Sequence, residues 1–371
     1  MKIGCPKEIK KHEYRVGLTP SDVRSYSNRG HEIIIEEGAG GDAGFDDKEY
    51  IQSGATIYKD KKKIFDDCEM IVKVKEPLPE EYDLFHEGQI LYTYLHLAAS
   101  RELTEALLSR KIKGVAYETI ETDDGHLPCL KPMSEIAGRL SVQEGAKYLE
   151  KPFGGRGVLL GGVPGVSRGK VGIVGAGVVG TNACKIATGI GSDVTMLDIN
   201  ADRLAYLDDI FGSRINTLYS TDSNIEKVLK ESDLIIGAVL VHGGKAPSII
   251  NREHLKMMKK GSVIVDVAVD QGGCVETTKP TTHDNPVYVI DDVVHYAVAN
   301  MPGVVALSST QALTSSTLPY GLFIAENGLE EACRLSSDIR LGVNLYQGKC
   351  TYRNVAEAFD IECMPVSELI G

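Results

Sequence analysis

The chain has 371 residues, of which 43% are hydrophobic and 25% are charged, as is ordinary for a globular protein. Acidic residues outnumber basic ones by 52 to 40, for a formal net charge of −12, which argues against a nucleic-acid partner because such a partner selects a basic surface. The longest apolar run, at 234–241, is far too short to span a membrane, and the first residues lack the apolar core of a signal peptide.

The first third of the chain predicts alternating strands and helices. Thr19 caps a helix that has Pro20 at its first position and Gly30 just beyond its end, and a second helix is predicted at 100–111. The predicted strands are 32–38, 69–76, 89–97 and 114–120. Short apolar strands that alternate with helices predict an α/β domain with a parallel sheet.

A long helix is predicted at 134–151, beginning at Ser134, and a glycine-rich loop at 153–170 marks a passage between domains. Six further strands are predicted at 170–175, 193–198, 215–220, 234–241, 261–270 and 287–292. After 299–303 the chain is predicted to be helical to its end, and this tail has too little of its own to form a domain, so we expect it to pack on the first domain.

The predicted architecture is therefore a doubly wound parallel Rossmann sheet inserted in a second, discontinuous α/β substrate domain. The expected substrate domain comprises 1–130 and 307–371, and the expected dinucleotide-binding domain comprises 131–306. The eight cysteines include no C-x-x-C pair, which favours reduced thiols and a cytoplasmic protein.

The sequence Gly175-x-Gly177-x-x-Gly180 lies between a predicted strand and a predicted helix, which is the context of a dinucleotide fingerprint. Asp198 ends the next predicted strand, where a carboxylate accepts hydrogen bonds from both ribose hydroxyls and repels a 2′-phosphate. This pattern predicts NAD rather than NADP. Arg203 leaves an alternative open, because an arginine there could hold a 2′-phosphate or stack on the adenine.

Ionisable residues lie near the ends of four predicted strands: Lys75, His96, Glu118 and Asp270. Ligands of open α/β sheets bind beyond the carboxyl ends of strands, so these groups predict a shared cleft between the two domains. Lys73, two residues before Lys75 and on the same strand face, is a rival for its role. The nine histidines show no paired metal-ligand spacing, so no metal site is expected.

Five segments, at 5–20, 72–77, 94–100, 265–273 and 295–303, resemble the alanine dehydrogenase family in order and spacing along nearly the whole chain. That family shares its architecture with the nucleotide-binding part of proton-translocating transhydrogenase and with saccharopine-forming lysine dehydrogenases. The resemblance implies reversible, NAD-dependent oxidative deamination of L-alanine to pyruvate and ammonium in a homohexamer. A saccharopine-type dehydrogenase and a transhydrogenase-like NAD-binding subunit are the alternatives.

The resemblance also implies roles for individual residues. Arg15 and Lys75 would bind the substrate, and His96 and Asp270 would be the acid–base residues. The expected cofactor contacts are Ser134, Gly175, Gly177, Gly180, Asp198, Arg203, Ser220, Val239, Leu240, Val267, Asp270, Lys279, Val298, Asn300 and Met301. Some members carry a magnesium-binding histidine where this chain has Asn327, which argues against such a site here.

Overall fold

The computed structural model describes residues 1–239 and 247–370. The chain divides into two compact units, one formed by Met1–Met133 together with the residues from 303 onward, the other by Ser134–Pro302. Each unit contains one sheet that is mostly parallel and is flanked by helices.

In the described residues the strands, in chain order, are β1 (Lys2–Cys5), β2 (Glu32–Glu36), β3 (Ala55–Tyr58), β4 (Met70–Val72), β5 (Ile90–Thr93), β6 (Lys113–Ala116), β7 (Lys170–Val174), β8 (Asp193–Asp198), β9 (Ile215–Tyr219), β10 (Leu234–Gly237), β11 (Val263–Asp266), β12 (Val287–Ile290), β13 (Val293–Tyr296), β14 (Val343–Tyr346) and β15 (Lys349–Cys350).

The α-helices of the same residues are α1 (Pro20–Ser27), α2 (Asp47–Gln52), α3 (Lys61–Asp67), α4 (Pro79–Tyr82), α5 (Arg101–Ser109), α6 (Lys131–Tyr148), α7 (Val178–Gly189), α8 (Ala201–Phe211), α9 (Asp222–Glu231), α10 (Arg252–Leu255), α11 (Ala306–Asn327), α12 (Leu329–Leu335), α13 (Ser337–Gly342), α14 (Arg353–Phe359) and α15 (Val366–Ile370).

Local signals in the sequence place α1 where it was predicted. Thr19 accepts a hydrogen bond from the Asp22 amide, while the Asp22 carboxylate accepts one from the Thr19 amide, which is a complete capping box. Pro20 occupies the first turn, where its missing N–H costs no helical hydrogen bond. Ser100 caps α5 with its hydroxyl alone, which accepts a hydrogen bond from the Leu103 amide.

The sheet of the first unit has the strand order β15-β14-β6-β5-β4-β1-β2-β3. Strands β1 to β6 pair in parallel, and β14 joins β6 antiparallel. Ile71, Leu91 and Leu345 are completely buried in the core that packs against it. This sheet brings the ends of β4, β5 and β6, which carry the candidate substrate residues, next to one another.

The sheet of the second unit has the order β12-β13-β11-β10-β7-β8-β9. Read from the other edge, β9-β8-β7-β10-β11-β13 is the six-stranded parallel order of the doubly wound dinucleotide fold. The predicted fold class is confirmed. Gly175 and Ser220 follow β7 and β9, and Asp198 and Asp266 are the last residues of β8 and β11, at the strand ends where ligands of such sheets bind.

The prediction for the sixth parallel strand was wrong. The predicted segment at 287–292 forms β12, which pairs antiparallel with β13, and β13 is the strand that joins β11 in parallel. Asp291 and Asp292 both have positive φ, at 49° and 64°, as the tight turn of a two-residue hairpin requires. Every residue of β13 is buried whereas β12 is partly exposed, as expected for an inner and an edge strand.

The prediction of a wholly helical tail was also wrong. The tail contributes β14 and β15, an antiparallel hairpin turned by Gln347 and Gly348, whose φ values are 46° and 85°. A second difference concerns α6, which begins at Lys131 rather than at Ser134. Pro132, in its first turn, suits an early start because no helical hydrogen bond is lost there.

Candidate active site

The glycine-rich turn between β7 and α7 forms a cradle that side chains would fill. Gly175 has φ of +104°, and a Cβ on Gly180 would lie 1.8 Å from the Gly175 carbonyl oxygen. A Cβ on Gly177 would meet no atom within 4 Å, so open space lies before the N-terminus of α7. Unpaired backbone amides at such a terminus bind phosphate. The turn therefore fits the pyrophosphate of a dinucleotide.

Asp198 is fastened at the edge of this cradle. Its carboxylate accepts hydrogen bonds from the amide of Ala176 at 2.6 Å and from the amide of Asn200 at 2.8 Å. These bonds hold a negative group beside the turn, where a ribose would follow the phosphates.

Arg203 lies in the first turn of α8 and hydrogen-bonds to the glycine turn. Its Nε donates to the Ala176 carbonyl at 2.7 Å and its Nη2 donates to the Thr181 hydroxyl at 2.8 Å. Its guanidinium also stacks on Tyr206, 4.7 Å from the ring centroid. The guanidinium thus ties the start of α8 to the glycine turn.

Several of the other expected cofactor residues of this unit follow the carboxyl ends of strands. Ser220 follows β9, Val239 follows β10, Val267 follows β11 and Val298 follows β13. Asn300 and Met301 continue from Val298, and Lys279 donates its amide to the Tyr288 hydroxyl. Ser134 lies in the first turn of α6. Leu240 lies outside the described residues.

Asp270 lies on a loop that Asp266 organises. The Asp266 carboxylate is buried and accepts hydrogen bonds from the amides of Ala268, Cys274 and Val275. Burial raises the pKa of Asp266, although these hydrogen bonds favour the ionised carboxylate. Asp270 itself is exposed, and its carboxylate accepts a hydrogen bond from the Asn300 amide at 3.3 Å. The predicted strand end at Asp270 is not observed, because β11 ends at Asp266 and Asp270 lies four residues further on, in a 3-10 turn.

In the first unit, the two lysines beyond β4 have different environments. The Lys73 side chain is 0% exposed, and its ammonium lies 3.1 Å from both Glu8 and Glu81. Lys75 is only partly buried. Its pKa is lowered, chiefly because burial disfavours the charged ammonium; the positive charge of Arg15 adds to this effect, and the negative charge of Glu76 opposes it. Lys73 is therefore a structural cation, and Lys75 is the one available for chemistry.

A Lys73→Met variant should test this division. The substitution removes the buried cation between Glu8 and Glu81 and leaves Lys61 as the cation beside Glu81. Breaking a buried ion pair in this way costs about 3–5 kcal/mol of unfolding free energy. Urea unfolding measures this loss. An exposed control, Lys48→Met, should change the free energy by less than about 0.5 kcal/mol. Equal stability of the two variants would contradict a structural role for Lys73.

Arg15 is buried, with a side chain only 2% exposed, and it is oriented by Glu13. Its Nε and Nη2 each donate to one Glu13 oxygen at 2.6 Å, and Nη1 lies 3.0 Å from the sulfur of Met133. Although burial opposes the charged form, Glu13 raises the pKa of Arg15. A two-pronged contact of this kind fixes the plane of the guanidinium.

His96 lies three residues beyond the end of β5, and its side chain is 42% exposed. Its Nδ1 is 3.2 Å from a carboxylate oxygen of Glu76, the residue next to Lys75. The Glu118 carboxylate accepts hydrogen bonds from the amides of Leu95 and His96. The first unit thus combines a cation, a titratable imidazole and carboxylates that orient them.

Sequence reasoning missed the carboxylates of Glu13 and Glu76. Each is close in sequence to a residue that was identified, since Glu13 precedes Arg15 by two positions and Glu76 follows Lys75. Acidic neighbours of candidate cations are the signal that could have found them. Glu118 was identified at a strand end, and the structure shows that it binds backbone amides of the His96 segment.

The described part of the chain shows neither a metal-type cluster nor a membrane-spanning helix. Between residues 1–239 and 247–370, no group of three or more His, Cys, Asp or Glu side chains is arranged to hold a metal ion. Asn327 instead donates to the Phe323 carbonyl of its own helix. No helix in these ranges is both long and apolar enough to cross a membrane.

Comparisons with known proteins cover both units. Residues 4–137 match the model of the alanine dehydrogenase/PNT N-terminal domain, and residues 141–353 match that of the C-terminal domain. An alanine dehydrogenase of Methanococcus maripaludis is 55% identical over 100% of both chains. One of Staphylococcus haemolyticus is 54% identical over 100% of this chain and 99% of the relative.

Solved structures agree with these relatives. An L-alanine dehydrogenase structure superposes with a TM-score of 0.95 at 53% identity, covering 97% of this chain and 99% of that one. A transhydrogenase from Sinorhizobium meliloti superposes with a TM-score of 0.80 at 20% identity, covering 95% and 99%. The second likeness is one of fold alone.

Proposed function

The chain belongs to the alanine dehydrogenase/PNT family, and from that premise we propose that it catalyses the NAD-dependent oxidative deamination of L-alanine to pyruvate and ammonium, and the reverse reaction. It is an oxidoreductase of the CH–NH2 group and uses a nicotinamide cofactor. The observation that carries the proposal is the match to alanine dehydrogenases at 53–55% identity along the full chain. The candidate site supplies the groups that this reaction needs.

The second unit would hold the cofactor. The amides at the start of α7 would bind the pyrophosphate beside Gly177, and Asp198 would accept hydrogen bonds from a ribose. The residues beyond β9, β10, β11 and β13 would line the rest of the dinucleotide. The nicotinamide, when bound, accepts the hydride that leaves the alanine Cα.

The first unit would hold the substrate. Arg15 and Lys75 would supply positive charge for the α-carboxylate, with Glu13 keeping the guanidinium in one plane. Because burial lowers the pKa of Lys75, its ammonium gives up a proton more readily than an exposed lysine. Lys75 is thus also suited to polarise the oxygen that develops on the substrate.

Proton transfer would fall to His96 and Asp270. After hydride loss, water adds to the iminium carbon of the substrate, a base takes a proton from that water, and an acid protonates the departing nitrogen. An imidazole suits both steps because it titrates near neutral pH. Asp270, which follows β11 in the second unit, is the second proton-handling group.

The proposed function is tested by following NADH formation from NAD with L-alanine, with L-lysine and with no amino acid. Rapid formation with L-alanine alone is the expected result. A further arm supplies L-lysine, 2-oxoglutarate and NADH, and robust NADH oxidation there would indicate a saccharopine-type enzyme instead. NADH binding without turnover in every arm would indicate a nucleotide-binding subunit that passes hydride to a partner.

Asp198 should make NAD strongly preferred over NADP, because its carboxylate would face the 2′-phosphate. We expect Asp198→Ala to lower the ratio of the initial rate with NAD to that with NADP by roughly tenfold, which corresponds to about 1.4 kcal/mol. Asp202→Ala, which removes an exposed carboxylate from the neighbouring helix, serves as the matched control and should leave the ratio unchanged. Equal wild-type rates with both cofactors would reassign Arg203 to the phosphate.

We further propose that the protein works in the cytoplasm, in L-alanine catabolism, as a homohexamer. The dispersed cysteines are free, and seven of the eight are buried, which suits a reducing compartment. Light scattering coupled to size-exclusion chromatography tests the assembly. A mass of one 40.2 kDa chain would contradict it.

A further inference from the structure

The His96 segment is held by two carboxylates that act on different parts of it. Glu118 accepts the His96 amide at 2.6 Å and the Leu95 amide at 3.1 Å. Glu76 lies 3.2 Å from Nδ1 of the imidazole ring. The backbone at His96 has φ of +48°, a left-handed conformation that a residue with a side chain rarely adopts. The Glu118 hydrogen bonds fall on this strained residue and the one before it.

Glu76 is ionised in this arrangement. Burial opposes its ionisation, but the hydrogen bond with His96 and the nearby positive charges of His96, Lys75 and Lys10 hold the pKa of the Glu76 carboxyl well below its usual range. Lys10 forms a direct ion pair with it. An ionised carboxylate can only accept hydrogen bonds, so in the Glu76–His96 pair the ring nitrogen Nδ1 must be the donor.

We propose that Glu76 is a positioning residue that holds the His96 ring with a proton on Nδ1, so that Nε2 is the atom that exchanges protons during the reaction. The inference rests on the proposed function, because it gives His96 the acid–base role. In such a carboxylate–imidazole pair, the carboxylate orients the ring, determines its tautomer and stabilises the imidazolium.

The charges that face this pair come from several elements. Lys10 and Lys75 face Glu76. The negative charge of Glu76 also contributes, after burial and Glu102, to the raised pKa of Tyr82 in α4. The ring of Tyr94 lies 5.8 Å from the His96 ring, while Glu118 faces its backbone. Among these groups Glu76 contacts a ring nitrogen, so its removal should act on the ring, in addition to breaking the ion pair with Lys10.

Two substitutions separate charge from hydrogen bonding. Glu76→Gln keeps an oxygen that can accept from Nδ1 but removes the negative charge, whereas Glu76→Ala removes both. Because a neighbouring anion favours imidazolium, its loss should move the His96 titration to lower pH. His96 acts as a base in deamination, so the acid limb of kcat/KM for L-alanine should move to lower pH with it.

The measurements are the NMR titration of the His96 ring, its ¹⁵N shifts above the titration range, and the pH profile of turnover. We expect Glu76→Ala to show mixed ring tautomers and a kcat lower by about tenfold or more, with a smaller change in KM. Glu80→Gln, an exposed carboxylate on the same segment, is the matched control and should leave both titration and kcat unchanged.

The NMR readout requires no turnover, so the two hypotheses can fail separately. An unchanged His96 titration and a single Nδ1–H tautomer in both Glu76 variants would overturn the positioning role, whatever the activity. If the His96 titration shifts in the Glu76 variants but the wild-type protein does not oxidise L-alanine, the Glu76–His96 pairing is supported and the proposed function is overturned.

Discussion

Turnover of L-alanine by Asp270→Asn should fall by roughly 10²–10⁴, the usual contribution of a general acid or base, while the affinity for NADH stays near that of the wild type. The substitution is nearly isosteric, and the asparagine oxygen can still accept the hydrogen bond of the Asn300 amide. An amide cannot take up a proton, so the loss should appear in kcat. Steady-state kinetics beside fluorescence titration with NADH measures both quantities.

His96→Ala provides the companion experiment and should lower turnover by a similar factor. If both residues serve one sequence of proton transfers, the double variant should lose much less than the product of the two single losses. Lys75→Ala should differ from both, because loss of its charge weakens pyruvate and alanine binding as well as turnover. Near-normal turnover of Asp270→Asn would leave His96 as the acid–base group and reduce Asp270 to a loop residue.

The second large effect concerns the glycine turn, where substitutions of Gly180 and Gly177 should impair the protein in different ways. In Gly180→Ala the new methyl would lie 1.8 Å from the Gly175 carbonyl oxygen, and both groups belong to the backbone of the turn. The turn or α7 must shift, and such overpacking costs about 1–3 kcal/mol or more. We expect a lower Tm, and loss of NADH binding because the cradle itself is distorted.

Gly177→Ala is the matched variant, since the same methyl there meets no protein atom within 4 Å and the backbone is in an ordinary extended conformation. Its Tm should stay near the wild-type value. The methyl nevertheless projects into the space where phosphate oxygens would approach the α7 amides. We expect the Kd for NADH to rise by about 10- to 100-fold, which is roughly 1.4–2.8 kcal/mol.

Thermal unfolding and NADH titration of the two variants distinguish a steric role in the fold from one in binding. Unchanged NADH affinity in a stable Gly177→Ala variant would show that the dinucleotide does not approach this turn. The Gly180→Ala result alone would not show this, because a distorted turn loses binding for any cause.

Features that depend on neighbours along the chain were predictable from the sequence. The N-cap of α1, the strand–turn–helix around Gly175 and the positions of most parallel strands along the chain follow from short-range patterns, since caps, positive φ and apolar periodicity act within a few residues. Candidate site residues could be identified at the predicted strand ends, because the carboxyl ends of parallel strands meet at one edge of the sheet.

The choice between similar segments or similar side chains was decided only by the tertiary structure. The apolar segments at β12 and β13 look alike in sequence, and pairing with β11 determines which is buried. Lys73 is a rival of Lys75 in sequence, but Glu8, from 65 positions away, and Glu81, from eight, enclose Lys73. Glu76 likewise meets His96 from 20 positions away. Local sterics govern the first kind of feature, whereas burial and charge pairing between residues remote in sequence govern the second.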